Sequence, residues 1–386
     1  MRRGLLPQGN GETFSISGQT NGRYFQSYSV SYINPWFGGK RPNTLSIGAS
    51  FSKQTDISDN YYNSAYYNNY YSSFLYGMGT GYGYNYYENY YDPDKSFMTF
   101  SLSVGWGKRL RWPDDYFNLT AELSYIRYMM KDWQYFIINN GNCNNISLGL
   151  TLSRNNTDNP IYPRSGSEFM MSVSLTPPYS LFDKKDYSKL GNDIYSETYQ
   201  QEMQEKHKWV EYHKWKFRNR TYTALSGGNK CFVLSTRVEF GLLGHYNKNK
   251  RSPFETFYVG GDGMSGYSYT YATETIGLRG YDNGSLTPNG YAGYAYDRFS
   301  IELRYPFILG ASTNIYGLAF LEGGNAWNEV KKFNPFDMKK SAGLGVRIFL
   351  PMVGMLGIDW AYGFDSVFGS KTYSGSHFHF VLGQEF

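Results

Sequence analysis

Arg279 stands among glycines in Ile276-Gly277-Leu278-Arg279-Gly280-Tyr281-Asp282-Asn283-Gly284-Ser285, inside the long turn-rich stretch 247–298. A guanidinium keeps its charge at any relevant pH and presents five donors in a rigid fork. Gly277 and Gly280 let the chain turn tightly beside it. The chemistry such a group performs is ion pairing, so the sequence must also supply carboxylates to receive it. Little else in the chain is set up for chemistry. Cys143 and Cys231 belong to no CxxC or metal pattern. The close histidine pairs, His207 with His213 and His377 with His379, have no third ligand at a supporting spacing. There is no GxSxG elbow, HExxH pair or Walker loop. No enzyme, cofactor or metal site is expected.

The elements that must hold Arg279 are strands. The chain has 386 residues, 40 of them tyrosine, and a mean hydropathy of −0.54. No apolar run approaches the roughly 18 residues that a membrane-crossing helix needs. That disfavours a helical membrane protein but leaves open a transmembrane barrel, whose strands carry apolar residues only at every second position. The net charge of +5 is spread along the chain and gives no nucleic-acid footprint.

Period-two alternation marks residues 98–106, 231–242, 341–350 and 355–363. In 341–350, for example, Ala342, Leu344, Val346, Ile348 and Leu350 alternate with Gly343, Gly345 and Arg347. The second face of such segments mixes glycine and small polar residues with single charges: Arg237, Glu239, Glu302, Arg304, Arg347 and Asp359. A soluble sandwich would put long charged side chains on its wet face. The pattern here suits an enclosed polar lumen with the apolar face turned to lipid. Short connections at 38–42, 112–115, 226–229 and 351–354 alternate with long ones at 55–95, 179–206, 247–298 and 364–374. That spacing predicts a transmembrane antiparallel β-barrel of about fourteen strands, each roughly ten residues long, with short turns on one rim and long loops on the other. Trp36, Trp209 and Trp327, near strand ends, are expected at the membrane interfaces. The Tyr/Asn/Gly-rich segment 59–94 fits either a low-complexity surface loop or a loop that packs over the barrel mouth or binds a partner.

Tyr258-Val259-Gly260-Gly261 followed by Leu278-Arg279-Gly280-Tyr281 resembles the lumen-loop motif of the outer-membrane barrel-assembly family, the BamA-like proteins. Asn34-Pro35-Trp36-Phe37-Gly38-Gly39 is similar to that family's early strand-turn segment. Tyr162-Pro163-Arg164-Ser165-Gly166 is similar to its mid-barrel turn, and Leu321 to Trp327 and Ser341 to Gly345 to its late strands. The C-terminal stretch 378–386 resembles the family's last strand, with Phe378, Phe380, Leu382, Gly383 and the terminal Phe386 as its assembly signal. The matches come in order along about the whole chain, and the Tyr-rich loops and Trp-Phe-Gly-Gly turn resemble the Bacteroidetes branch.

The resemblance implies residence in the bacterial outer membrane and a role in folding and inserting client β-barrel proteins. Partners would be outer-membrane lipids, client barrels and accessory assembly lipoproteins, the last mainly through POTRA domains. A related secretion or translocation pore, of the TamA-like or two-partner secretion type, shares the arginine motif and is the second reading; a passive porin is the third. The family carries POTRA domains and sixteen barrel strands. Neither a POTRA pattern, a signal peptide nor the first two strands is visible here, so the chain is expected to be a truncated barrel spanning 1–386. Residues 13–18 would then close against 376–386 or leave two open edges. Within the loop, Glu302, on the inward face of 300–307, and Glu322, at the matching family position, are expected to take the Arg279 fork, with Tyr281 stacking beside it. Counting strand directions back from Phe386 puts Cys143 and Cys231 at opposite rims, more than about 20 Å apart, where a disulfide needs Cα atoms within about 7 Å. They are expected not to pair.

Overall fold

All four alternating segments fall in strands, apart from Cys231 and Phe232, which precede theirs. The computed structural model describes residues 11–382 apart from 23, 40–42, 58–90, 134–136, 184, 194, 229, 264–273, 291, 311–312, 353 and 368. The first strands are β1 (Thr13–Asn21), β2 (Phe25–Asn34), β3 (Asn43–Ile57), β4 (Tyr91–Arg109), β5 (Phe117–Lys131) and β6 (Gly141–Asn155). Next come β7 (Ser165–Leu175), β8 (His213–Ala224) and β9 (Val233–Gly244). Two three-residue strands, β10 (Phe257–Val259) and β11 (Glu274–Ile276), lie in the loop that follows. Then come β12 (Ala295–Leu309), β13 (Asn314–Trp327), β14 (Lys339–Leu350), β15 (Gly354–Ser366) and β16 (Tyr373–Leu382). Fourteen of these form one sheet in sequence order, with β10 and β11 paired apart from it and β1 and β16 at its ends. That order is what short turns between neighbours dictate.

Two compact units divide the chain: residues 1–106, 122–146 and 185–210 form one, residues 107–121, 147–184 and 211–386 the other. In the first, β1 pairs with β2 and β2 with β3, both antiparallel. Hydroxyls link one face: Ser17 with Ser29, Ser50 with Ser101 and Ser52 with Thr99, each at 2.6 Å. Phe14, Ile16, Tyr28 and Val30 occupy the alternate positions and are exposed. Segment 179–206 is more than a connection, for it contains α1 (Tyr179–Phe182) and α2 (Tyr199–His207). In the first unit, α2 is fastened by Glu202, which accepts the Gly191 amide and the Thr198 hydroxyl at 2.8 Å each. Its Gln, Glu, Met and Lys residues are strong helix formers, a signal that the loop reading passed over. Of the Tyr-rich segment, residues 59–90 lie outside the described residues, and 91–94 open β4.

The second unit carries β7–β9, β10–β16 and the alternation at its clearest. Leu321, Leu344, Ile358, Phe378 and Phe380 are each more than half exposed, while Glu302, Arg304, Glu322, Arg347 and Asp359, on the other face of the same strands, are at most 5% exposed. Apolar outside and charged inside inverts the soluble pattern and fits an apolar solvent on the outer face. No described helix is long and apolar enough to cross a membrane. Trp327 departs from the interfacial expectation: it is buried, with its ring 5.0 Å from that of Phe333. The short helix at Val330–Lys332 turns the chain back over the strand end, and this supplies the covering ring. Cys143 and Cys231 are buried free thiols.

Leu344→Arg should weaken folding into lipid vesicles by about 2–4 kcal/mol, the cost of arginine near the bilayer centre on a barrel's outer face. Denaturant titration in vesicles measures it. A loss under about 1 kcal/mol, typical of the interfaces, would show that this face does not meet the hydrocarbon core.

Candidate functional site

The loop between β9 and β12 folds on itself before it meets the sheet. β10 and β11 pair in parallel, Phe257 with Glu274 through Val259 with Ile276. A bridge between Gly261 and Leu278 closes the next step, with the two amides exchanging bonds of 3.1 and 3.0 Å. Thr287 accepts the Val259 amide at 2.8 Å. This scaffold delivers residues 278–281, all buried, to the polar face of β12–β16.

Register sets what waits there. Across β12 to β15, Glu302 lies on the row Phe320, Gly343 and Ala361, and Ser300 on the row Glu322, Ser341 and Gly363. The row of Arg304 runs through Leu318 and Gly345 to Asp359 and on to His379 of β16. Three rows two residues apart therefore put Glu302, Glu322 and Asp359 on one face. The Arg279 Nη2 donates to Glu302 at 2.5 Å and to Glu322 at 2.7 Å, and Nη1 reaches Asp359 at 3.4 Å. Its backbone amide donates to the second Glu322 oxygen at 3.0 Å. Burial alone would pull the Arg279 pKa down, and the three carboxylates reverse that, holding it above the ordinary arginine value.

Each carboxylate also has an arginine of its own on the sheet. Glu302 accepts from Arg304 at 2.8 and 2.6 Å, Glu322 from Arg298 at 2.8 Å, and Asp359 from Arg347 at 2.7 Å twice. Four guanidinium groups thus share three carboxylates. Room for these long side chains comes from glycine: a Cβ on Gly357 would stand 2.7 Å from the Arg347 Cδ. At the loop tip Gly280 has φ +88, and a Cβ there would lie 2.8 Å from the Ser341 Cβ and 3.0 Å from the Gly363 nitrogen. Only glycine sits flush on that floor.

Sequence reasoning named Leu278, Arg279, Gly280 and Tyr281 with Glu302 and Glu322, and the structure brings all six together. One detail differs. The ring against the Arg279 guanidinium is Phe320, 3.5 Å from its centroid, while the Tyr281 hydroxyl donates to the Lys340 carbonyl at 2.7 Å. Phe320 stands in the row of Glu302, directly beneath the fork, and Tyr281 leaves the tip in another direction. Phe378, Phe380 and Leu382 share the exposed face of β16 away from this site, and Gly383 and Phe386 lie outside the described residues.

Sequence reasoning missed Asp359 as a third receiver, although its face was legible. It also missed a second clasp of opposite sign. The loop residues Glu255 and Glu274 meet Lys214 of β8 at 3.2 and 2.8 Å, and Glu274 also meets Lys216 at 2.9 Å. Lys214 lies over the Phe257 ring, 4.8 Å from its centroid. Lys214 and Lys216 alternate on β8 as lumen charges should, but nothing in the pattern joins them to residues 40 to 60 positions away.

Residues 8–386 match the Omp85 superfamily domain. Among solved structures the chain is similar to BamA from Haemophilus ducreyi lacking POTRA domains 1-3, at 17% identity and a TM-score of 0.59. That likeness covers 96% of this chain and 64% of the other, so the chain spans less than two thirds of that relative's length. It is also similar to CdiB from Escherichia coli, at 10% identity and a TM-score of 0.51, over 92% of this chain and 52% of that one. No curated protein sequence matches. These likenesses carry the fold, the antiparallel transmembrane β-barrel.

Because each carboxylate keeps a sheet arginine, Arg279→Ala should release the loop at a cost of about 1.5–3 kcal/mol, that of hydrogen bonds to charged groups, and leave the strands folded. Glu322→Gln should cost more, about 3–5 kcal/mol, because it leaves Arg279 and Arg298 buried with one acceptor fewer. Proteolysis of the loop and heat-modifiable gel mobility read the two effects separately. A milder outcome for Glu322→Gln than for Arg279→Ala would reverse this ranking.

Proposed function

The chain belongs to the Omp85 superfamily, whose barrels reside in the bacterial outer membrane, and from that premise we propose that it is the β-barrel core of an outer-membrane protein assembly factor. On this reading it folds and inserts client β-barrel proteins and is not an enzyme. The observation that carries it is the buried Arg279 tip on Glu302, Glu322 and Asp359, where the longest loop of the second unit is locked to the sheet. A loop fastened to the sheet by buried charge supports this reading over that of an open passive pore.

The proposed mechanism needs no nucleotide. An end strand carries backbone donors and acceptors along one side, and a client's terminal strand can complete them by β-augmentation. β16 ends the strand order, and its outer face presents Phe378, Phe380 and Leu382 to lipid. The docked loop would brace β12–β15 while the edge exchanges partners. Partners on this reading are lipids, client strands and accessory lipoproteins. The second reading, a secretion or translocation pore, keeps the same loop anchor and is kept in view by the likeness to CdiB.

An intact gene carrying Arg279→Ala should fail to support growth when the native copy is depleted, while its product still shows heat-modifiable mobility. Arg279→Lys should rescue in part, since lysine lacks the planar fork. In proteoliposomes the wild-type protein should speed insertion of a client barrel at least about tenfold over empty vesicles, a barrier reduction of about 1.4 kcal/mol. Full growth of the Arg279→Ala strain would count against the anchor, and absence of client insertion with passage of an extended polypeptide would favour the pore.

A further inference from the structure

β16 reaches the loop tip through a contact that the carboxylates do not supply. His379, buried on the polar face of β16, accepts the Gly280 amide at Nε2 over 2.9 Å. Two residues earlier on the same face, His377 Nδ1 lies 3.3 Å from Asp282 of the loop, and the two imidazoles stack 6.1 Å apart at 20°. The Gly280 backbone is pressed against β14 and β15, and its left-handed conformation turns the amide toward β16. The tip is therefore held from beneath by ion pairs and from the side by the strand at the sheet's edge.

We propose that His379 is a positioning residue that fastens the loop tip to β16, so that the tip is fully docked only while the edge strand is seated beside β15. It deepens the assembly reading, on which it rests only for its consequence: release of the tip and movement of the edge strand are one event. The chemistry makes the fastening sensitive to acid. A neutral imidazole has one acceptor nitrogen and an imidazolium has none. The charged and titratable groups facing His379 are Asp359 across from it on β15, Arg279 and Asp262 of the loop, and His377 on its own strand. Asp359 and Asp262 attract an imidazolium and Arg279 and His377 oppose it, but either way the Gly280 amide loses its acceptor once the ring is protonated. Docking is thus complete at neutral pH and weakens as pH falls through the imidazole range. Glutamine, with an acceptor oxygen at similar reach and no titration, should remove that dependence.

Hydrogen–deuterium exchange of the loop peptide 274–287 in the vesicle-inserted protein, corrected for intrinsic exchange, tests this. Wild-type protection should fall roughly fivefold or more between pH 7.5 and 5, the worth of one lost hydrogen bond. His379→Gln should keep its protection at both values. His379→Phe should lack that protection at both while the band remains heat-modifiable. If His379→Phe fails to fold, the contrast between wild type and His379→Gln still decides. Parallel pH responses in those two proteins, or wild-type protection in His379→Phe, would overturn the proposal. Absence of client insertion in proteoliposomes would sink the assembly reading and leave the exchange result on His379 standing by itself.

Discussion

A charge carried by a loop is buried on the polar face of a sheet whose other face is greasy, and the rest of the second unit follows from making that burial tolerable. A lone guanidinium away from water is costly, and a single carboxylate repays the cost only with good geometry. Arg279 meets three carboxylates and an aromatic ring, all set by the register of β12, β13 and β15. The sheet arginines alter what this means. If Glu302 and Glu322 had faced Arg279 alone, its departure would strand two buried charges together and the loop would be committed. Arg304, Arg298 and Arg347 already neutralise the three acids, so the sheet tolerates the loop's presence and its absence. An anchor with that property is strong when made and leaves no stranded carboxylate when broken.

Space is the second requirement. Arginine and glutamate side chains on neighbouring strands need volume, and the sheet provides it by alternating them with glycine. Gly345 lies beside Asp359 and Gly357 beside Arg347, so close that a methyl group at either position would collide with them. Glycine weakens a strand, but these glycines are the complement of the charges, and their cost in strand stability is met by the lipid-facing residues on the same strands.

Much of this was legible before any coordinates. Period two located the strands and told the charged face from the apolar one, because alternation is a property of each strand alone. The glycines around Arg279 marked a special backbone, and the resemblance to known barrels supplied Glu322. What stayed hidden depends on register between distant strands. Asp359 and His379 lie 80 and 99 residues from the tip residues they hold, and a slip of one residue would have turned either to lipid. Lys214 and Glu274 were hidden for the same reason. The stacking ring was misassigned to Tyr281 because adjacency in sequence is a poor guide where a tip residue and a sheet residue compete for one guanidinium.

The two clasps together explain how the loop finds one seat. Its base is acidic, Glu255 and Glu274 on Lys214 and Lys216; its tip is basic, Arg279 on Glu302, Glu322 and Asp359. Lying the other way round, the loop would bring Arg279 against Lys214 and Lys216 and leave Glu255 and Glu274 facing acids already paired with Arg304, Arg298 and Arg347, and like charges brought together out of water cost several kcal/mol. Each clasp thus selects against the wrong orientation as well as for the right one. Neither alone would do so, because a single ion pair fixes a point and leaves the rest of the segment free to rotate about it. Two pairs of opposite sign fix a direction. With direction set by charge, the uncharged contacts at the tip, the Gly280 floor and the His379 acceptor, are left to decide how closely the tip is seated and which strand senses it.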